Sequence, residues 1–221
     1  MPTHDAAEEA PLRTHRGAVA REQIVRAAAH IVFSSGVVGT SIEQVLTASN
    51  ASRSQLHRYF ANKEAVIEAV IDFQVNPVLA RQQSLLARVD SVSGLREWAD
   101  AFVAMNRTRN GVGLCPIGAL VGQLADQSSA ARTKLEDAFR TWESYLAAAL
   151  RRMQERGELD AAADITELGT GVMAALQGGL VLAHAGRSEQ PVRTALALAV
   201  DRVALAAAPA GHVELRSGEG S

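Results

Sequence analysis

The chain is predicted to be all-α, and three observations carry that expectation. Apolar residues recur at helical spacing along most of the 221 residues, and no segment alternates apolar and polar for the length of a strand. Hydrophobic residues make up 48% of the chain while aromatics make up only 4%, which describes an Ala/Leu/Val helical interior rather than a sheet. Helix start signals are frequent, and three of them crowd into residues 39–64.

The first helix is expected over Ala18–Ser35, with Ile24, Ala27, Ala28, Ile31 and Val32 at helical spacing and Gly36 as its stop. Thr40 with Glu43, and Ser52 with Gln55, then match the S/T-x-x-E/Q capping box, which satisfies N–H groups left without partners at a helix N-terminus. Between the two boxes, Ser49-Asn50-Ala51 is a short turn in which Asn50 can take the left-handed conformation. Such a turn joins two helices at a steep angle. Ile42, Val45 and Leu46 share a face of the first short helix, and Leu56, Tyr59 and Phe60 share a face of the second. The second helix leaves Ser52, Arg53, Ser54, Gln55, His57 and Arg58 outward, all compact hydrogen-bonding or cationic groups suited to a DNA major groove.

Asn62 before Lys63 and Glu64 caps a fourth helix that carries Ala65, Val66, Ala69, Val70 and Phe73 inward, with Pro77 as a kink or as a junction into a continuation through Val89. A helix over Ser91–Arg109 puts Leu95, Trp98, Phe102 and Met105 on one face and is broken by Asn110-Gly111-Val112-Gly113. A short helix follows at residues 115–124 with Pro116 in its first turn, then a long one over Ser129–Arg156 closed by Gly157. Asp164–His184, opened by Asp164 with Glu167, and Gln190–Ala207 complete about nine helices.

Composition removes several function classes. Apolar runs such as 196–208 are interrupted by Asp201 and Arg202 and fall short of the roughly 18 residues that cross a bilayer. The acidic start, with Asp5, Glu8 and Glu9, lacks the apolar core of a secretory signal, so a soluble cytoplasmic protein is expected. The one cysteine, Cys115, excludes an internal disulfide and a cysteine-rich zinc site, and the histidines lack ligand spacing, so no metal or cofactor is expected. Net charge is −2, yet residues 11–63 hold seven basic residues against Glu22 and Glu43, a local excess of five positive charges. That excess suits a surface facing phosphates.

Leu56-His57-Arg58-Tyr59-Phe60 followed by Lys63-Glu64, with a threonine-capped helix and a turn before it, resembles the DNA-binding domain of the TetR family of bacterial transcriptional repressors. The resemblance runs from about Ala18 to Val78, with the helix-turn-helix at residues 41–60. It departs from the family pattern at Asn50, where a turn glycine is common, at Ser54-Gln55, and at His57, where tyrosine is frequent. The family implies a three-helix DNA-binding head on a larger helical body that binds a ligand and dimerises. Residues 1–17 are then a disordered arm, 18–78 the head, 79–208 the body and 209–221 a disordered tail.

For DNA the candidates are Thr40, Ser41, Ser52, Arg53, Ser54, Gln55, His57, Tyr59 and Lys63. Hydroxyls and helix N-termini meet phosphates, Arg53 and Lys63 add charge, and Gln55 is placed to pair bidentately with adenine. The resemblance implies an effector pocket in the body, for which the candidates are Trp98, Phe102, Met105, Cys115, Trp142, Tyr145, Met173 and Gln177, suited to a small lipophilic molecule. It also implies a homodimer formed by the last two helices, with Gly178, Leu180, His184, Leu196, Val200 and Val203 as candidates, bound to a palindromic double-stranded operator. Two other readings stand beside the repressor. One is a protein-binding helical module with vestigial DNA contacts, and the other an enzyme dependent on Cys115 or the His184 region, for which no nucleophile elbow, phosphate loop or metal cluster is found.

Overall fold

The computed structural model describes residues 6–108, 111–126 and 128–207. Among these, nine helices follow one another: α1 (Ala6–Ser35), α2 (Ile42–Ser49), α3 (Arg53–Tyr59), α4 (Lys63–Leu86), α5 (Val92–Met105), α6 (Pro116–Leu124), α7 (Ser129–Glu155), α8 (Ile165–Gly186) and α9 (Gln190–Ala204). The all-α class therefore holds. The exception is a two-residue antiparallel pair, β1 (Arg107–Thr108) and β2 (Gly111–Val112), with Arg107 opposite Val112.

The chain forms two compact units, one of residues 1–81 with 115–141 and one of residues 82–114 with 142–221. In the first unit α1 packs on α2 and α3. Its core takes Ile24, Ala28 and Val32 from α1, Val45 from α2, Leu56 from α3, and Val66, Val70 and Ile71 from α4, all buried. In the second, α9 packs on both α5 and α8. Leu95, Trp98 and Phe102 of α5, Leu176 and Leu180 of α8, and Leu196, Val200 and Val203 of α9 are buried there.

Four boundaries differ from the sequence expectation. α1 begins at Ala6 rather than Ala18: Ala6-Ala7-Glu8-Glu9-Ala10 are good helix formers, and the helix runs through Pro11. Of the expected arm, residues 1–5 lie outside the described residues, as does the expected tail at 209–221. α4 runs through Pro77 without a break to Leu86. α5 stops at Met105, where the Asn106 side chain donates to the Phe102 carbonyl at 2.8 Å, and Arg107 instead forms two hydrogen bonds to the Glu189 carboxylate at 2.8 and 3.0 Å. That carboxyl is held below its usual range first by Arg107 and then by Arg193. α9 ends at Ala204, short of Ala207.

The α8–α9 pair is the tightest helix contact in the second unit. A side chain added at Gly179 would sit 2.7 Å from the Val192 Cα and 3.2 Å from the Ala195 Cβ, so only glycine lets the two backbones come this close. This overturns part of the expected dimer surface. Leu180, Leu196, Val200 and Val203 are buried within one chain, Leu196 and Val200 beside Ala99 and Val103 of α5, so they are closed to a second chain. Gly178 and His184 remain exposed, and so do three large apolar residues: Val181 at 58%, Leu182 at 62% and Leu198 at 65%.

Replacing Gly179 with Ala is expected to lower stability by about 1–3 kcal/mol, because the helices must part to admit the methyl group. Gly122→Ala in α6, where an added methyl meets nothing within 4 Å, is expected to raise stability by up to ~1 kcal/mol. Urea unfolding of the two variants checks both signs.

Candidate nucleic-acid interface

The helix-turn-helix is built by caps and one left-handed residue. Ser41 is the N-cap of α2, its hydroxyl accepting from the Gln44 N–H at 3.2 Å while the Gln44 side chain accepts from the Ser41 N–H at 2.8 Å. The capping box thus lies one residue later than the sequence suggested. Thr40 is 3% exposed and its hydroxyl donates to the Gly36 carbonyl at 2.8 Å, so it closes the α1–α2 loop and has no group left for a phosphate. Asn50 adopts φ 52°, and the Ala51 N–H reaches back to the Leu46 carbonyl at 3.2 Å, which ends α2 and turns the chain. Ser52 then caps α3, accepting from the Gln55 N–H at 3.2 Å.

On α3 only Leu56 is buried, with Phe60 buried just beyond it. Tyr59 is half-buried, edge-on to Phe60 at 6.5 Å, and its hydroxyl lies 3.4 Å from where a Gly17 side chain would begin, so it leans on α1. Arg21 of α1 sits 5.2 Å above the Phe60 ring, a cation–π contact that ties the brace helix to the motif.

The outward side of α3 carries the polar set, and several members are already engaged. Arg53 donates to the Glu43 carboxylate at 2.8 Å, which links α3 to α2. The Glu43 carboxyl is held below its usual range by its own backbone N–H and then by Arg53, which favours its ionised form. Ser54 and Ser52 share a hydroxyl hydrogen bond at 3.0 Å. Gln55 accepts the Ser52 N–H on its side-chain oxygen at 2.8 Å, which turns that oxygen back toward the start of α3. Bidentate pairing with adenine needs that oxygen turned outward beside the amide N–H, so the expected pairing requires the side chain to leave this conformation. His57 and Arg58 are exposed and have no hydrogen bond or ion pair among the described residues. Arg58 was absent from the selected set, although its outward position on the helical wheel was the available signal. Lys63, half-buried at the start of α4, forms no ion pair among the described residues, and Asn62 caps that helix by accepting from the Ala65 N–H at 2.9 Å.

The effector candidates separate into groups. Trp98, Phe102 and Trp142 form one aromatic cluster, with ring centroids 6.0 Å apart in each successive pair, and Trp98 donates to the buried Gln82 side chain at 3.0 Å. Trp142 is fully buried and its indole N–H has no partner among the described residues. Gln177 contacts the Met173 sulfur at 3.8 Å on α8, and Tyr145 is half-buried. Met105 is 42% exposed at the end of α5. Cys115 is buried as the residue before α6 and belongs to the first unit, whereas the others belong to the second.

Glu43→Gln is expected to raise affinity for any DNA severalfold and to steepen its salt dependence by about one unit of slope, because it frees Arg53 and removes a repelling charge. Lys63→Ala is expected to do the reverse for all sequences alike. Fluorescence anisotropy over a salt series measures both.

Residues 24–70 match the family model described as bacterial regulatory proteins, tetR family, and residues 91–197 match that of the LmrA/YxaF-like transcriptional regulator C-terminal domain. The chain is 26% identical to the uncharacterized HTH-type transcriptional regulator YxaF of Bacillus subtilis, over 78% of this chain and 88% of that one. It is 25% identical to the HTH-type transcriptional repressor DhaR of Mycobacterium sp. strain GP1, over 78% and 86%. A TetR-family regulator from Cytophaga hutchinsonii shares the fold with a TM-score of 0.76, at 20% identity, over 88% of this chain and 98% of that structure. Two matched regions, one on each side of residues 71–90, and a capped helix-turn-helix with an exposed cationic α3 agree: the chain belongs to the TetR family of transcriptional regulators and is a DNA-binding protein, not an enzyme.

Proposed function

We propose that the protein is a homodimeric repressor whose α3 helices enter successive major grooves of a palindromic operator, about 34–36 Å apart, and that a small lipophilic effector releases it. In this reading residues 18–78 are the DNA-binding head and 79–208 the effector-binding and dimerisation body. The observation that carries the DNA half is an α3 held by its caps and Leu56, with His57 and Arg58 uncommitted on its outer side. Ser41, Ser52 and Lys63 supply helix N-termini and charge for phosphates, which fix register without reading sequence.

The dimer half rests on the outer side of α8 and α9. Val181, Leu182 and Leu198 are exposed there, and a groove of about 450 Å³, lined by Gly171, Ala175, Ala195 and Leu198 together with Glu167 and Arg202, lies between the two helices. Exposed apolar area of this kind marks an interface. By length and composition α8 could also cross a membrane, with a mean hydropathy of 1.3, but 44% of that stretch is buried against its own chain. A dimer surface on a cytoplasmic protein accounts for both sides of the helix.

The effector half rests on the Trp98, Phe102 and Trp142 cluster. A buried indole N–H without a partner costs about 1–3 kcal/mol, and an effector bearing an acceptor would recover it. Release follows from whatever preference the effector has for a conformer that spaces the two α3 helices wrongly.

Selection of bound DNA from a random pool is expected to enrich an inverted repeat, and failure to enrich any sequence sinks the repressor reading. A Val181→Glu, Leu182→Glu variant is expected to be a folded monomer with operator affinity reduced at least about tenfold. Sedimentation and gel shift on the same sample provide the check, and a variant that stays dimeric moves the interface elsewhere.

A further inference from the structure

We infer that Arg58 sets the base preference of this protein by gripping one guanine in each half-site of its operator, an assignment that rests on the repressor reading above. Leu56 is the one buried side chain of α3, so it marks the direction of the core. At 3.6 residues per turn, Ser54 and Arg58 each stand about 160° from Leu56, Gln55 and His57 about 100° to either side of it, and Arg53 only about 60° away. With α3 in a major groove, the positions opposite the core meet the groove floor, where the base edges lie. The flanks stand closer to the phosphate walls.

Availability separates the two outermost side chains. Ser54 is short and shares its hydroxyl with Ser52 at 3.0 Å. Arg58 is exposed, and its side chain forms no hydrogen bond or ion pair among the described residues. Its surroundings in the chain leave it free: Ser54 and Gln55 lie one turn back, Ala61 and Asn62 follow the helix, and none of the four is acidic. Arg53, by contrast, is held by Glu43 at 2.8 Å. The angle at which Arg58 is presented is also fixed. Leu56 is fully buried, and Phe60 just beyond the helix is buried beneath the Arg21 guanidinium at 5.2 Å, so α3 is held against rotation about its axis.

Chemistry then names the base. A guanidinium presents parallel N–H donors in a rigid fork, and guanine is the base whose major-groove edge offers two acceptors, O6 and N7. Adenine offers an acceptor beside a donor, and cytosine a donor, so neither receives both prongs.

Selection of bound DNA from a random pool with the full-length protein, followed by anisotropy titrations on the enriched site, tests the assignment. The wild type is expected to enrich a guanine at one position of each half-site, and changing that G·C pair to A·T should weaken binding on the order of tenfold. 7-Deazaguanine, which pairs normally but lacks the N7 acceptor, should weaken wild-type binding severalfold at that position and leave Arg58→Ala unaffected. Arg58→Gln should move the preference there from guanine to adenine, since an amide matches the donor and acceptor of adenine, and should leave the other positions as they were. Arg58→Lys keeps the charge, so it should keep the salt slope and a weakened preference for guanine. Circular dichroism of each variant establishes that it is folded. Base preferences that Arg58→Gln leaves unchanged, a 7-deazaguanine effect that persists in Arg58→Ala, or a loss of affinity that is the same for every sequence overturns the assignment and leaves the repressor reading standing. A wild type that enriches no sequence overturns both.

Discussion

A seven-residue helix does not persist in water, and everything this protein offers to DNA depends on holding one in place. α3 has fewer than two turns, too short to repay the cost of its own nucleation. Burial of Leu56 supplies the missing stability, and Phe60 closes the helix while lying beneath the Arg21 guanidinium. The caps at Ser41 and Ser52 keep the N-terminal donors satisfied at the surface that would face phosphate. Asn50 sets the angle between the two short helices. The long helices of the first unit are therefore a mould, with α1 as the part of it that packs on both α2 and α3.

The motif was legible because its determinants are local. Caps, the turn residue and the spacing of Leu56 and Phe60 all act within a few residues, where sequence and conformation are nearly the same information. The error at Thr40 shows where locality ends. Thr40 with Glu43 and Ser41 with Gln44 fit the capping pattern equally, and what separates them is a hydrogen bond from Thr40 to Gly36 that depends on how the preceding loop closes. The early stop of α5 has the same origin, since Arg107 is drawn to Glu189, which is far away in sequence.

The apolar residues of α8 and α9 expose a different limit. Helical spacing identifies a residue that wants burial, but it does not say whether the neighbour belongs to the same chain or to another. Both helices are apolar on more than one side, and the periodic positions Leu180, Leu196, Val200 and Val203 turned out to face inward. The outward set is Val181, Leu182 and Leu198. Gly179 decides between the sides, because the closest backbone approach fixes which surface of α8 is consumed within the chain.

The double duty of Gln55 has a consequence for how such a protein changes its target over evolutionary time. One oxygen completes the capping box of α3, and the same oxygen would be needed to grip an adenine, so reading that base means giving up the reciprocal half of the box at a cost of roughly 1 kcal/mol. That is most of a tenfold preference, taken from the discrimination before it begins. If α3 reads the operator as proposed, a position facing Gln55 would drift with little penalty, while positions facing His57 and Arg58 would not. Sharing a single atom between architecture and recognition makes one part of the binding sequence negotiable and leaves the remainder under constraint.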